Sequence, residues 1–447
     1  EKTGVTIDWQ TYTEPDQFSI MVASGLYADM IMTSKSTYTG GIDKAIEDEV
    51  YVPANNYFDY TPNFVNMLAA DRSIDIQSKT DVGNYWFSCI QTGNEPAWCG
   101  PMLRTDWVAE AGMEIPQTYD DWYNLLVWAR DEKGSTGMIP YQTGYDSVGF
   151  GLIAGYDTMG GFYAKDGTEV RYGFLDEGMR DYVAMMQKWY QEGLINKDFV
   201  SISPWGGAAD YVASGECGVL EFASYTFKPL FDAMVGDGCS FDAVPYPART
   251  ADRQGDLHFR RYNFIIGDAS TFITTAAVER GTDVLCAQWI DYRYSMDGFA
   301  ITNYGREGVT WEYGEDGMPH VTDFVLNPTD GRMTSEVMDD SQSSKTGGSF
   351  YSWLHAYDQY PDNVSVAYEV WDGSSKGDWI MPGITMTTEE AEAYAGVYGD
   401  IQTYTNEMIL RFITGEQSMD KWDDFVARIN SMGIQTALDC QQAALDR

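Results

Sequence analysis

Positive charge is scarce in this 447-residue chain: 28 Lys and Arg stand against 68 Asp and Glu, with three His, for a formal charge of −40. Such a surface repels nucleic-acid phosphates and anionic headgroups, which are bound through clustered cations, so nucleic-acid binding is all but excluded. Long apolar runs are also missing. The richest stretch, 391–413, is broken by Glu392, Asp400, Glu407 and Arg411, and no membrane span of about 18 apolar residues exists. The six Cys (89, 99, 217, 239, 286 and 440) form no C-x-x-C and no Cys/His zinc spacing. Cys89 and Cys99 flank the turn-rich Thr92-Gly93-Asn94-Glu95-Pro96 and could bond across a hairpin; the alternative is that all six are free, buried thiols.

Motifs for metal and nucleotide chemistry are absent: no H-E-x-x-H, G-x-x-x-x-G-K-[ST] or G-x-G-x-x-G, and no D-x-[DN]-x-[DN]-G calcium spacing. No catalytic residue, metal or cofactor is expected. Acid pairs such as Asp120-Asp121 and Asp339-Asp340 read as a solvated acidic face. A glycoside hydrolase working with two carboxylates stays open only as an alternative.

Aromatics are abundant instead, with 14 Trp, 31 Tyr and 20 Phe making 15% of a chain that is 44% apolar. That composition is globular, and the length suggests two or three domains at about 150 residues each. Strand and helix signals alternate, which favours α/β architecture. Val5–Trp9 reads as a strand, a helix follows through Phe18, Met21 and Val22, and 28–32 reads as a second strand, for which a parallel right-handed crossover is expected. Thr118-x-x-Asp121, Asp176 and Thr387-x-x-Glu390 each precede a helical stripe, and Trp422, Phe425, Val426 and Ile429 form another. Asp166-Gly167 predicts a tight hairpin, and 334–349, polar and rich in Gly and Ser, predicts a surface loop.

Several aromatics sit in loop-like contexts: Tyr38 before Gly40-Gly41, Trp205 in Ser203-Pro204-Trp205-Gly206-Gly207, Tyr225 beside Ser224, and Trp371 and Trp379 around Asp372-Gly373-Ser374-Ser375. A flat aromatic face attracts the polarised C–H groups of a sugar ring while nearby acids and amides bind its hydroxyls, so these positions together point to a carbohydrate site.

Five segments in order resemble one family. They are Lys2-Thr3-Gly4-Val5 with Ala23-Ser24-Gly25 and Ala28-Asp29-Met30-Ile31; Thr105-Asp106-Trp107 with Ile115-Pro116-Gln117-Thr118; Glu192-Gly193-Leu194-Ile195; Gly305-Arg306-Glu307-Gly308-Val309; and Phe412-Ile413-Thr414-Gly415-Glu416 with Trp422 and Met432-Gly433. The chain resembles the extracellular solute-binding proteins of ABC transporters, in the carbohydrate-binding, lipoprotein-like group of Gram-positive bacteria. Some relatives carry a D-x-N-x-D-G-like calcium loop where this chain has 130–137, which lacks the ligands of that pattern.

The resemblance implies an α/β, two-lobe clamp of the periplasmic-binding-protein type, closing by hinge motion on a ligand in the interlobe cleft, each lobe a wound, mainly parallel sheet flanked by helices, with a helical C-terminal region. By order, 1–104 and 264–325 form the N-terminal lobe, and 105–263 and 326–447 the C-terminal lobe. The family's first strand and helix precede the segment that Lys2 begins, so the N-terminal lobe is expected to lack its first strand. Tyr12, Glu14, Lys35, Tyr38, Phe150, Trp205, Tyr225, Asp268 and Trp371 then fall in strand-end loops or hinge segments as ligand-binding candidates. Trp205 and Trp371 are expected to stack on sugar, and Glu14, Lys35 and Asp268 to bind hydroxyls. The implied function is a non-enzymatic, monomeric, extracellular receptor, lipid-anchored in its precursor, that passes an oligosaccharide to ABC permease subunits. The same fold binding a peptide or another polar solute is the alternative.

Overall fold

The computed structural model describes residues 3–11, 17–92, 97, 99–140, 152–202, 208–224, 240–258, 266–315, 317, 319–332, 334–342, 347–352, 362–384 and 386–447. Their strands run, in chain order, β1 (Met30–Ser34), β2 (Tyr51–Val52), β3 (Phe87–Thr92), β4 (Cys99–Arg104), β5 (Phe162–Lys165), β6 (Glu169–Tyr172), β7 (Val219–Ser224), β8 (Phe241–Ala243), β9 (Ile266–Thr274), β10 (Trp311–Tyr313), β11 (Pro319–Val321) and β12 (Ser349–Ser352). Two compact units result, one of Glu1–Asn94 with Phe264–Tyr360 and one of Glu95–Asn263 with Pro361–Arg447.

In the first unit the sheet order is β1-β9-β3-β12, with β2 also on β9. β9 is antiparallel to β1, β2 and β3, whereas β12 lies parallel to β3. Phe64, Phe87, Ile90, Ala287 and Ile290 form the buried core between sheet and helices, and Tyr51 stacks on Phe272 at 4.3 Å. Asp291 serves the helix Pro62–Ala70 from outside: its carboxylate accepts from the Phe64 amide at 2.8 Å and the Asn63 side chain at 2.7 Å, satisfying a first-turn donor that the helix cannot pair internally.

Sequence expectation and structure part company here at four places. Val5–Trp9 forms no strand: Val5 and Ile7 are half-buried while Thr6 and Asp8 are exposed, as in a strand, but among the described residues no neighbour takes up the ladder. The expected parallel crossover into β1 is therefore not made, and β1 pairs antiparallel with β9 instead. Segment 334–349 is not all loop, because Thr334–Ser341 is a helix burying Val337 and Met338. Finally, pairing of β12 with β3 keeps the segment through Tyr360 in the first unit, and β4, at the centre of the other sheet, takes 95–104 into the second.

The second unit is built on β7-β4-β8, all antiparallel, with parallel single-residue bridges from Ile139 to Leu220 and from Met138 to Ile195. Among the described ladders only β12–β3 is parallel, so the mainly parallel sheets expected are mixed and mostly antiparallel. The hairpin β5–β6 turns on Asp166 and Gly167, both at positive φ (51° and 71°), the geometry that favours Asp-Gly. Thr118 and Asp121 close a capping box on the helix Tyr119–Lys133. Asp176 precedes the helix Glu177–Gln191 but turns its carboxylate elsewhere, accepting from Thr158 and Tyr163 hydroxyls at 2.9 and 2.7 Å. The C-terminal region is helical, with Thr388–Thr414, Trp422–Ser431 and Ile434–Asp446.

A second capping box, Thr387 with Glu390, starts the 27-residue helix Thr388–Thr414. Arg447 grips the same carboxylate through two N–H···O contacts of 2.7 and 2.6 Å. The guanidinium first, and the Thr387 amide second, draw the Glu390 pKa down from 4.5 to about 2. A folded-state pKa below the unfolded one stabilises the fold above the unfolded value, and that contribution fades as pH falls from about 4.5 through about 2. Arg447→Ala is expected to shift Glu390 titration upward, read from its carboxyl NMR shift; an unmoved curve would refute the clasp.

Cys89 is a buried thiol in no disulfide, so of the two alternatives the Cys89–Cys99 bond is not formed. Its strand β3 pairs with β9 and β12 while β4 pairs with β7 and β8, so the two are not a hairpin. Burial pushes the Cys217 thiol up to about 12 and the Cys286 thiol to about 11.

Candidate functional site

The first unit's topology gathers its candidates at one edge. β1, β3 and β12 all run the same way, since β1 and β3 are both antiparallel to β9 and β12 is parallel to β3. Their C-terminal ends therefore align with the N-terminal end of β9, where ligands of open α/β sheets characteristically bind. Lys35 and Tyr38 leave β1 there, Gln91 and Thr92 end β3, Ser352 ends β12 opposite Thr92, and Asp268 lies in β9 one residue before Ala269, the partner of Ser34. The β3–β9 register slips at this point, from Ser88 opposite Ser270 to Cys89 opposite Gly267. This bulge sits on Asp268 and Ala269, and such bulges bend a strand and re-aim its side chains. Gly267 leaves room for the Gln91 amide, which a Cβ there would meet at 2.9 Å.

Lys35 is exposed at the tip of the turn after β1. The turn is tied by Ser34 to Ser36 (2.7 Å) and Thr33 to Thr37 (2.8 Å) hydroxyl contacts. Tyr38 closes it: the ring lies against Tyr51 and Phe18, and the hydroxyl donates to Asp48 at 2.9 Å. Burial first, and this hydrogen bond second, raise its pKa to about 12. Tyr38 thus anchors the loop that presents Lys35.

In the other unit the described strands end next to further candidates in sequence. The chain leaves β7 at Ser224, just before Tyr225, opposite Cys99 at the start of β4. Because Ile139 bridges Leu220 in parallel, the described chain through 140 runs towards the same end. Glu221, fully buried on β7, accepts from the Leu152 amide at 3.3 Å. An acid inside the apolar run Val219-Leu220-Glu221-Phe222 was the available signal for it, as the turn-rich stretch after Thr92 was for Gln91.

Trp371 needs correction as a stacking platform. It lies on the helix Asp362–Ser374 with 0% exposure, its indole N–H donating to the Pro101 carbonyl at 3.1 Å and its ring filling the space that Gly100 leaves open. Trp379 is likewise buried, stacked between His258 (4.1 Å) and Tyr163 (5.5 Å). Tyr12, Glu14, Phe150, Trp205 and Tyr225 lie outside the described residues, as does the side chain of Asp268.

No family model matches the chain. In sequence it is 22% identical, over 492 aligned residues, to the fructooligosaccharide ABC transporter substrate-binding protein FusA of Streptococcus pneumoniae, covering all of this chain and 85% of that protein. It is 27% identical over 221 residues to the lipoprotein LipO of Bacillus subtilis, covering 46% of this chain and 41% of LipO. Among solved structures, FusA in complex with kestose superposes with a TM-score of 0.76 at 19% identity, over 100% of this chain and 93% of that one. The alginate-binding protein AlgQ2 without calcium gives 0.75 at 22% identity, over 97% and 89%. The chain thus has the fold of the ABC-transporter solute-binding proteins and is related, over its whole length, to a substrate-binding protein of that kind.

Proposed function

We propose that this protein is the substrate-binding receptor of an ABC importer, capturing an oligosaccharide outside the cell and delivering it to membrane permease subunits without covalent chemistry. The observation that carries the reading is the full-length relationship to FusA, whose named ligand is a fructooligosaccharide. The placement of Lys35, Tyr38 and the Asp268 backbone at one sheet end of the first unit supports it. Among the described residues no helix is long and apolar enough to cross a membrane. A lipid anchor in the precursor and a monomeric receptor complete the proposal, with LipO, by name a lipoprotein, as support for the first.

Lys35, Asp268, Tyr12, Glu14, Phe150, Trp205 and Tyr225 are the proposed ligand contacts, Trp205 stacking on a sugar face. Thermal-shift screening against monosaccharides, oligosaccharides and short peptides tests the class of ligand. Saturation at about 100 times Kd adds about 2.7 kcal/mol of apparent stability, visible as a rise in melting temperature. Oligosaccharides are expected to give it; a rise with peptides alone would reverse the assignment. Lys35→Ala, at an exposed position, is expected to leave melting unchanged and weaken oligosaccharide binding about tenfold or more, on the scale of a lost charged hydrogen bond.

A further inference from the structure

A cavity of about 840 Å³ opens within the first unit, against the helices Asp283–Tyr292 and Met296–Tyr304 and the β10 strand. None of the described strand-end candidates lines it. Trp9 sets its ring edge-on to Trp289, centroids 6.3 Å apart, and Tyr313 stands edge-on to Trp311 at 5.1 Å. Trp9 and Tyr313 are 64% and 60% exposed, so aromatic surface borders solvent in its walls. Arg293, buried, holds its guanidinium 5.6 Å over the Trp289 ring. Tyr292 is also in the lining, though its hydroxyl is itself buried, without a hydrogen-bond partner among the described residues. Arg306 and Asp297, both exposed, add a donor and an acceptor to the lining.

The volume falls in the range of small-molecule sites, and the lining combines aromatic faces with a few polar groups. Its charges balance, Arg293 and Arg306 against Asp297 and Glu307. An anion would meet two carboxylates, and a purely apolar ligand would strip water from the three exposed ions, Asp297, Arg306 and Glu307, without replacing it. A neutral sugar answers both halves of the lining, with C–H faces for the indoles and hydroxyls that donate to carboxylates and accept from guanidinium.

We propose that this cavity is a second saccharide site, separate from the strand-end site and taking a short neutral sugar. Kestose and maltotriose, titrated by calorimetry into the whole protein and into Trp9→Ala and Tyr313→Ala, test it. Both substitutions are at exposed positions, and a melting curve checks each variant's fold. A weak binding event is expected in the parent protein, lowered about tenfold or more in each variant, while any tight event keeps its affinity. The proposal is overturned if neither sugar gives a Trp9-dependent event, or if a tripeptide such as Gly-Phe-Gly occupies this face and the sugars do not. A weak Trp9-dependent event without any tight one would uphold this site while refuting the transport reading.

Discussion

Trp371→Ala is expected to destabilise the second unit by about 3–5 kcal/mol, the usual cost of deleting a buried Trp. The ring is fully buried, it fills the volume opposite Gly100, and its N–H is bonded to the Pro101 carbonyl in β4. The substitution leaves a cavity against the central strand and an unpaired acceptor in it. Trp371→Phe keeps much of the volume and loses the N–H, so it should fall between the parent and Ala. Urea unfolding followed by Trp fluorescence gives both values. Were Trp371 a sugar-stacking platform, Trp371→Ala would instead weaken oligosaccharide binding at nearly unchanged stability.

The other large effect belongs to Gly173, at the exit of β6. A Cβ built there lies 1.7 Å from the Met159 carbonyl oxygen. Neither side can readily yield: the Gly173 amide donates to Gly161 at 2.8 Å, and the Thr158 hydroxyl donates to the Gly173 carbonyl at 3.3 Å. Gly173→Ala is therefore expected to cost about 3 kcal/mol, the upper part of the overpacking range, and to loosen the β5–β6 hairpin with it. Gly373→Ala is the control, since nothing lies within 4 Å of its Cβ position and it sits inside a helix. It should be neutral or stabilise by up to about 1 kcal/mol. Equal losses at both glycines, by urea unfolding, would refute the steric account.

What was legible in the sequence was local. Thr118 with Asp121, Thr387 with Glu390, and Asp166-Gly167 each specify their geometry within a few residues, and each is formed. Strand pairing was less legible, because β9 meets β1 and β3 across more than 170 residues of intervening chain and nothing in Val5–Trp9 reveals that no partner will come. Local composition also misled. Asp372-Gly373-Ser374-Ser375 reads as a loop, yet the helix continues through Ser374 and turns Trp371 inward. In 334–349, two apolar neighbours, Val337 and Met338, were enough to bury a helix that polar composition had hidden. The candidate site was legible as positions at strand ends, since turn-rich stretches follow β1 and β3. The bulge at Asp268 was not, because it arises only when β9 meets β3.

Isothermal titration of the protein with a fructooligosaccharide panel, with the sugar recovered afterwards and analysed by chromatography, tests the receptor assignment most directly. The account predicts a tight event of near-unit stoichiometry for at least one oligosaccharide and recovery of that sugar intact. Absence of a tight event with every oligosaccharide, or release of shorter sugars, would contradict it.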